Sequence, residues 1–251
     1  MNFKQLHYQQ IPLLICNVWD ANGAKLAQKQ NFQAIGTSSA AIANMLGYED
    51  GEQMDFDELV YIVKRILAST TLPLTVDIES GYSRDPFVTA GYIKRLADLG
   101  VVGINIEDSI VTTTRELLNA ESFSLYLKNI SSELTKLKVE IFINARTDTF
   151  LLGHENALSE TKKRITLFEK AGVNGIFVPC IKNINDIKEV VNSTKLPINV
   201  MCMPDLPDFN ELNILNVKRI SMGNFLFDNL ADTFTDRLTS ILKSQSFTPI
   251  F

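Results

Sequence analysis

Eight short apolar runs alternate with longer amphipathic stretches from one end of the chain to the other. The runs are LLICNV (13–18), AIGTS (34–38), LTVDI (74–78), VGINI (102–106), EIFINA (140–145), GIFVP (175–179), INVMC (198–202) and KRISM (218–222). Most are continuously apolar, as parallel strands covered on both faces require. Between them, FDELVYIVKRILAS places Phe56, Leu59, Ile62, Val63, Ile66 and Leu67 at helical spacing, with Asp55 as N-cap and Glu58 as its capping-box partner. ALSETKKRITLFEKAG and FVTAGYIKRLADLG read as helices that end at Gly172 and Gly100. Strand-then-helix alternation repeated eight times predicts a (β/α)8 TIM barrel. An open doubly wound sheet is the alternative, but no GxGxxG follows the first strand. The 251 residues suit one barrel, and no Pro-, Gly- or Ser-rich linker divides them, so a single domain over 1–251 is expected. A last helix near 226–242 precedes QSFTPIF, an apolar tail that needs a surface to pack on.

In a barrel, polar residues at the C-terminal ends of strands converge on one mouth. Asn17, Asp20, Ser38, Ser39, Asp77, Glu79, Glu107, Asp108, Asn144, Arg146 and Asn199 all lie at or near such ends. Asp77 and Glu79 in LTVDIESGY are two apart, and strand alternation puts them on one side. Two buried acids facing one way need positive charge between them, and Glu107 closes the next apolar run. A hard divalent cation, Mg2+ or Mn2+, suits three such carboxylates; pairing with rim Lys or Arg is the competing reading. Arg146 in FINARTD can clamp a carboxylate or phosphonate in two-point fashion, or pair with Glu107 or Asp148. In GTSSAAIANMLGYEDGE, the small residues Ser38, Ser39 and Ala40 let backbone N–H groups approach a developing oxyanion. The glycines around Asp50 suit a mobile lid, or an ordinary exposed turn.

The net charge of −5, with no basic run, argues against nucleic-acid binding. No apolar run approaches a membrane span, and MNFKQLHYQQIPLLI has no cleavage-site pattern, so a cytoplasmic location is expected. Cys16, Cys180 and Cys202 lack metal-site spacing and read as reduced, buried thiols. His7 and His154 read as packing or surface residues. No GxSxG elbow or Walker-type loop is present.

The segments NVWDANGAKL, AIGTSSAAIANMLGYEDGE, VDIESGYS, GINIEDS, INARTD, GIFVPC and INVM, in this order, resemble the isocitrate lyase and phosphoenolpyruvate mutase superfamily over nearly the whole chain. The nearest likeness is to its mutase-like, 2-methylisocitrate-lyase-like branch. The resemblance implies a (β/α)8 barrel, commonly with a terminal helix exchanged between subunits of a homodimer or homotetramer. It implies a magnesium-bound 2-oxo acid, with Asp77 as direct metal ligand and Glu79 and Glu107 acting through metal-bound waters. Arg146 would hold the substrate's acidic group, the Ser39 and Ala40 backbones would face the enolate oxygen with Ser38 alongside, and Asp50 would match the gating-loop aspartate.

Two departures narrow the activity. The lyases carry a Lys-Lys/Arg-Cys-Gly-His loop after the strand-four acids, whereas this chain reads EDSIVTTTRELLNAE. The phosphonate-handling branch carries a Lys and an Asn-Ser pair there, also missing, and Pro179 stands near the position of its phosphonate-contacting His. The expected function is Mg2+-dependent C–C cleavage of a small 2-oxo or 2-hydroxy dicarboxylic acid through an enolate. Asp50 and Arg146 are the expected catalytic residues, and Ser38, Ser39, Ala40, Arg146 and Asn199 the substrate contacts. A phosphonopyruvate-type C–P mutase or hydrolase, or a catalytically weak 2-oxo-acid-binding protein, are the alternatives.

Overall fold

A computed structural model describes residues 2–251. All eight expected strands form, as β1 (Leu13–Val18), β2 (Ala34–Thr37), β3 (Leu74–Asp77), β4 (Gly103–Glu107), β7 (Phe142–Arg146), β8 (Gly175–Phe177), β9 (Ile198–Met201) and β10 (Arg219–Ser221). They pair in parallel and close into a barrel in the order β1-β10-β9-β8-β7-β4-β3-β2. The helices are α1 (Phe3–Leu6), α2 (Ala21–Lys29), α3 (Ser39–Leu46), α4 (Phe56–Leu67), α5 (Pro86–Asp98), α6 (Ala120–Lys136), α7 (Ala157–Lys170), α8 (Ile184–Asn192), α9 (Phe209–Ile214) and α10 (Phe225–Ser244). The fold is the (β/α)8 barrel that the alternation of segments demands.

The unexpected element is an antiparallel hairpin, β5 (Ser109–Val111) with β6 (Arg115–Leu117), which follows β4 and stays outside the barrel sheet. Its two three-residue strands flank Thr112–Thr114 and are too brief for a periodicity to register.

Helix α4 shows how the amphipathic stretches hold the barrel. Asp55 N–H donates to Glu58 Oε2 at 3.0 Å, completing the expected capping box. Phe56, Leu59, Val60, Ile62, Val63 and Ile66 are buried on one face. At roughly 1.5–3 kcal/mol each, their burial contributes on the order of 10 kcal/mol before chain entropy is subtracted. Gly100 and Gly172 follow α5 and α7 with φ of 104° and 88°, stopping them where the sequence indicates.

The barrel interior is polar in its middle. Asn144 donates to Asn105 at 2.9 Å and to Asn199 at 3.2 Å, and Arg219 reaches Asn105 at 3.3 Å. Asn199 also donates to Ser221 Oγ at 3.0 Å and is 1% exposed. It therefore belongs to this internal layer and not to the mouth where the sequence reading placed it. Below, α1 plugs the N-terminal end: Phe3 and His7 pack on Phe142, with the His7 ring stacked at 4.1 Å.

Helix α10 is different from the rest. No residue of it is buried, and Leu226, Leu230, Phe234, Leu238 and Leu242 form an exposed stripe at four-residue spacing. A groove of about 700 Å³ at its root is lined by Leu206, Phe209, Ile220, Met222, Phe225 and Leu226. Cys16 is buried as expected, but Cys180 is only partly covered and Cys202 is exposed, because their strands end before reaching them.

Candidate active site

The C-terminal ends of β3, β4 and β7 place Asp77, Glu107 and Arg146 side by side. Asp77 pairs in register with Asn105, and Glu107 with Arg146. Asp77 is the last residue of its strand, and its N–H donates to Thr37 Oγ1 at 2.8 Å. Its Oδ1 accepts the Glu79 N–H at 3.0 Å. The chain has left the strand by then: Glu79 has φ of 50°, and Ile78 dives into the core. Strand alternation is therefore not what orients Glu79; the turn is.

Glu79 Oε1 accepts the Tyr82 hydroxyl at 3.2 Å, and its Oε2 accepts the Glu52 N–H. Neither Asp77 nor Glu79 forms an ion pair with a basic side chain among the described residues. Glu107 does. Its Oε2 lies 2.8 Å from Arg146 Nη1, and its Oε1 meets Arg115 Nη1. The competing reading, pairing of these acids with basic side chains, thus holds for Glu107: Arg146 meets it as one expectation had it, and Arg115 adds a second contact from the unforeseen hairpin.

Arg146 is held in place by Asp148, which accepts from Nε at 2.6 Å and from Nη2 at 3.1 Å. Its guanidinium also lies over the Phe177 ring at 5.7 Å. Arg115 Nη2 lies 2.6 Å from Asp50 Oδ2, and its Nη1 donates to Ser109 Oγ at 3.0 Å.

The segment around Asp50 covers the mouth. Gly51 has φ of 118°, and a Cβ there would come within 2.6 Å of Val111 on the hairpin. Only glycine permits so close a docking with that backbone. Glu52 fastens the other side, accepting from Ser80 Oγ at 2.8 Å and Tyr82 N–H at 2.6 Å and pairing with Arg84. Ser38 caps α3, its Oγ accepting the Ala41 N–H at 3.3 Å. The first-turn amides of Ser39 and Ala40 have no acceptor within their own helix.

Two acids from the converging set turn away. Asp20 caps α2 through the Gly23 N–H at 2.6 Å. Asp108 points into the outer layer, 2.8 Å from Arg164, and burial pushes its carboxyl up to about 6 against the pull of that arginine.

Five carboxylates (Asp50, Asp77, Glu79, Glu107 and Asp148) thus meet two guanidiniums, Arg115 and Arg146. The excess negative charge is felt where water is excluded. Burial raises Asp77, with Arg146 pulling the other way. Burial, then Asp50 and Asp77, push Glu79 up to about 8. Such a set of hard oxygen donors fits a hard divalent cation, which would relieve both causes. No three acidic, His or Cys side chains among the described residues stand close enough to form a ready-made cage. A cation would therefore take one direct carboxylate and reach the others through water, as magnesium commonly does.

Sequence reasoning missed Arg115 and Glu52. The signal for Arg115 was faint: Ile110, Val111 and the threonines favour a strand, but REL does not and no turn residue marks the reversal. Glu52 and Tyr82 adopt positive φ, 62° and 56°, which no residue-type pattern announces.

The phosphoenolpyruvate phosphomutase family model matches residues 3–242. The uncharacterized protein Rv1998c of Mycobacterium tuberculosis is 31% identical over 224 residues, 89% of this chain and 82% of its own length. The 2-methylisocitrate lyase of Escherichia coli is 25% identical over 203 residues, covering 78% and 67%. A solved structure from Burkholderia cenocepacia J2315, provisionally named a phosphonomutase, superposes with a TM-score of 0.88 at 33% identity, covering 94% of this chain and 97% of that one.

Proposed function

Because this chain belongs to the phosphoenolpyruvate phosphomutase family, within the isocitrate lyase and PEP mutase superfamily of lyases and mutases, we infer that it cleaves a C–C bond in a small 2-oxo or 2-hydroxy dicarboxylic acid. The observation that carries this reading is the group of buried, unpaired acids Asp77 and Glu79 beside the oriented guanidinium of Arg146.

Asp77 would hold Mg2+ or Mn2+ directly, with Glu79 and Glu107 contributing through water. When bound, the cation supplies Lewis-acid polarisation of the substrate's 2-oxygen. The chain's own groups do the rest. Arg146, fixed along one edge by both oxygens of Asp148, orients the substrate carboxylate. The amides of Ser39 and Ala40 stabilise negative charge as the enolate develops, with Ser38 shaping the turn that aims them. The lid, closed through Gly51, Glu52 and Asp50, excludes water from the enolate. Asp50 and the Tyr82 hydroxyl are the groups placed to deliver a proton at the mouth.

The hairpin that replaces the lyases' Cys-Gly-His loop favours a decarboxylation or retro-aldol-type cleavage that needs no thiol acid. The phosphonate reading remains the second, supported by the likeness to the Burkholderia structure. Assays with oxaloacetate, 2-methylisocitrate and phosphonopyruvate, with and without Mg2+, separate the two. Metal-dependent C–C cleavage abolished by Asp77→Ala is expected. Turnover of the phosphonate alone would sink the lyase reading, and binding without turnover of any acid would favour a sensor.

The assembly proposed is a homodimer or a homotetramer built from such dimers. The unburied stripe of α10 and the groove at its root are both apolar, which supports a second copy's α10 as the cover for what this chain leaves open. Of location, the chain offers only this: no described helix is long and apolar enough to cross a membrane. A cytoplasmic setting with a small-molecule substrate remains our reading.

A further inference from the structure

We propose that Arg115 is a positioning residue: it holds the lid shut and keeps Asp50 at the mouth by cancelling the repulsion between the lid and the barrel's acids. This rests on the lyase reading only for the part given to Asp50 as a proton donor, and it adds the residue through which Asp50 acts.

The lid brings negative charge to a mouth that already has an excess of it. Asp77, Glu79, Glu107 and Asp148 are all buried there. The Asp50 carboxylate is close enough to press on both Asp77 and Glu79. A fifth acid lowered onto four others is pushed away unless a cation stands between them. Arg115 stands there. Its Nη2 lies 2.6 Å from Asp50 Oδ2, while its Nη1 meets Glu107 Oε1 and lies 3.5 Å from Asp148 Oδ2. One guanidinium thus joins the lid to the end of β4 and to the segment after β7. The Arg115 side chain is 17% exposed, so water screens these contacts only weakly.

The hairpin presents this guanidinium where the lid lands. Arg115 pairs in register with Val111, and Val111 is the residue on which Gly51 docks. Adjacent lid residues, Asp50 and Gly51, therefore seat on a single rung of the hairpin. Ser109 Oγ, accepting from Nη1 at 3.0 Å, braces the arginine from the same strand. The lid's other carboxylate, Glu52, turns to the opposite wall, where Ser80, Tyr82 and the half-exposed Arg84 receive it. That outer fastening neutralises Glu52 and does nothing for Asp50, whose one basic partner among the described residues is Arg115.

Amide hydrogen exchange across residues 47–53 of the full chain, in EDTA, is the test. It compares the parent, Arg115→Gln, Arg115→Lys and the double variant Arg115→Gln with Asp50→Asn. Arg115→Gln should speed exchange in the lid by about tenfold or more, as loss of one charge-assisted hydrogen bond implies. Arg115→Lys should keep part of the protection. The double variant should regain most of it, because the repelled charge is gone. An arginine that merely props the hairpin predicts no such rescue, and exchange across residues 109–117 in the same samples shows whether the hairpin itself has held. A lid as protected in Arg115→Gln as in the parent, or one that stays open in the double variant, overturns the proposal. Adding Mg2+ to Arg115→Gln should also draw the lid back, since a cation at Asp77 supplies the missing positive charge. No response to Mg2+ would sink the metal reading above, while the comparison in EDTA still decides on Arg115.

Discussion

Arg164 on α7 lies 2.8 Å from the carboxylate of Asp108 at the end of β4, and both side chains are closed off from solvent. The same guanidinium donates to the Leu118 carbonyl at 2.7 Å, where the hairpin rejoins the chain. Asp108 in turn accepts the Asp148 N–H at 2.9 Å. One buried ion pair thus ties down the neighbours of Glu107, Arg146 and Arg115 together.

Removing half of that pair should be costly. Arg164→Met leaves a buried carboxylate without its counter-charge and is expected to destabilise the fold by about 3–5 kcal/mol. The double variant Arg164→Met with Asp108→Asn should recover most of that, since it removes both charges and keeps an acceptor for the Asp148 N–H. Urea unfolding of the single and double variants checks it; equal instability in both would show that the charges themselves are needed.

Gly51→Ala tests the lid. The added methyl meets Val111 and the φ of 118° resists any side chain, so the segment should no longer dock on the hairpin. Global stability should change little because the lid lies outside the core. Amide hydrogen exchange across residues 47–53 should rise about tenfold or more, as expected when a local closed state loses about 1.4 kcal/mol. Unaltered protection would mean the lid is held by Glu52 alone.

His7 gives the fold a pH dependence at the acid end. Burial holds its imidazole down to about 3, far below its free value of about 6.5, and Arg219 adds to the effect. Its Nδ1 faces the Phe3 carbonyl at 3.0 Å, so the ring sits neutral with that nitrogen as donor. The unfolded chain binds the proton first. Stability is therefore full above about pH 6.5 and is lost progressively as pH falls toward 3, by a few kcal/mol on the order implied by the shift. His7→Phe keeps the stack on Phe142 and should flatten this slope in denaturation curves taken between pH 4 and 7. The buried carboxylates Glu79 and Glu107 are raised in the fold and tilt the curve the other way, so a slope of the same sign that persists in His7→Phe overturns the assignment to His7.

Helix α10 carries the prediction about assembly. Leu230→Glu with Phe234→Glu puts charge on the exposed stripe without touching the barrel core. Light scattering should find the parent chain as a dimer or tetramer and the variant as a monomer whose near-ultraviolet dichroism is otherwise unchanged. A parent that is monomeric at micromolar concentration would leave the stripe without its proposed cover.

Strands and helices were readable because each leaves a period in the sequence. β3, β4 and β7 are buried on both faces, and their uniform apolarity marks them even without alternation. Asp77, Glu107 and Arg146 were readable for the same reason, since each closes such a run, although Asp108 beside them turns outward to Arg164. Glu79 was placed for a wrong cause: a left-handed turn, not the pleat, aims it. Asn199 was misplaced because the barrel uses amide side chains to fill its own middle, and an amide inside resembles an amide at the rim until the register is known. Arg115 was invisible as a partner because its contacts with Glu107 and Asp50 span eight and sixty-five residues, and only the hairpin makes the first of them short.

The hairpin pairs only with itself and adds no rung to the closed sheet. Its sequence can be rewritten without changing the pairing of the staves, provided that Glu107 and Asp148, which Arg115 and Ser109 now meet, find other partners. The scaffold and the reagents are thereby separable: a transplanted segment of different length could bring a thiol, an amine or a guanidinium over the same acids. Which bond is broken becomes a property of an appendage, while the grip on the molecule stays with the barrel.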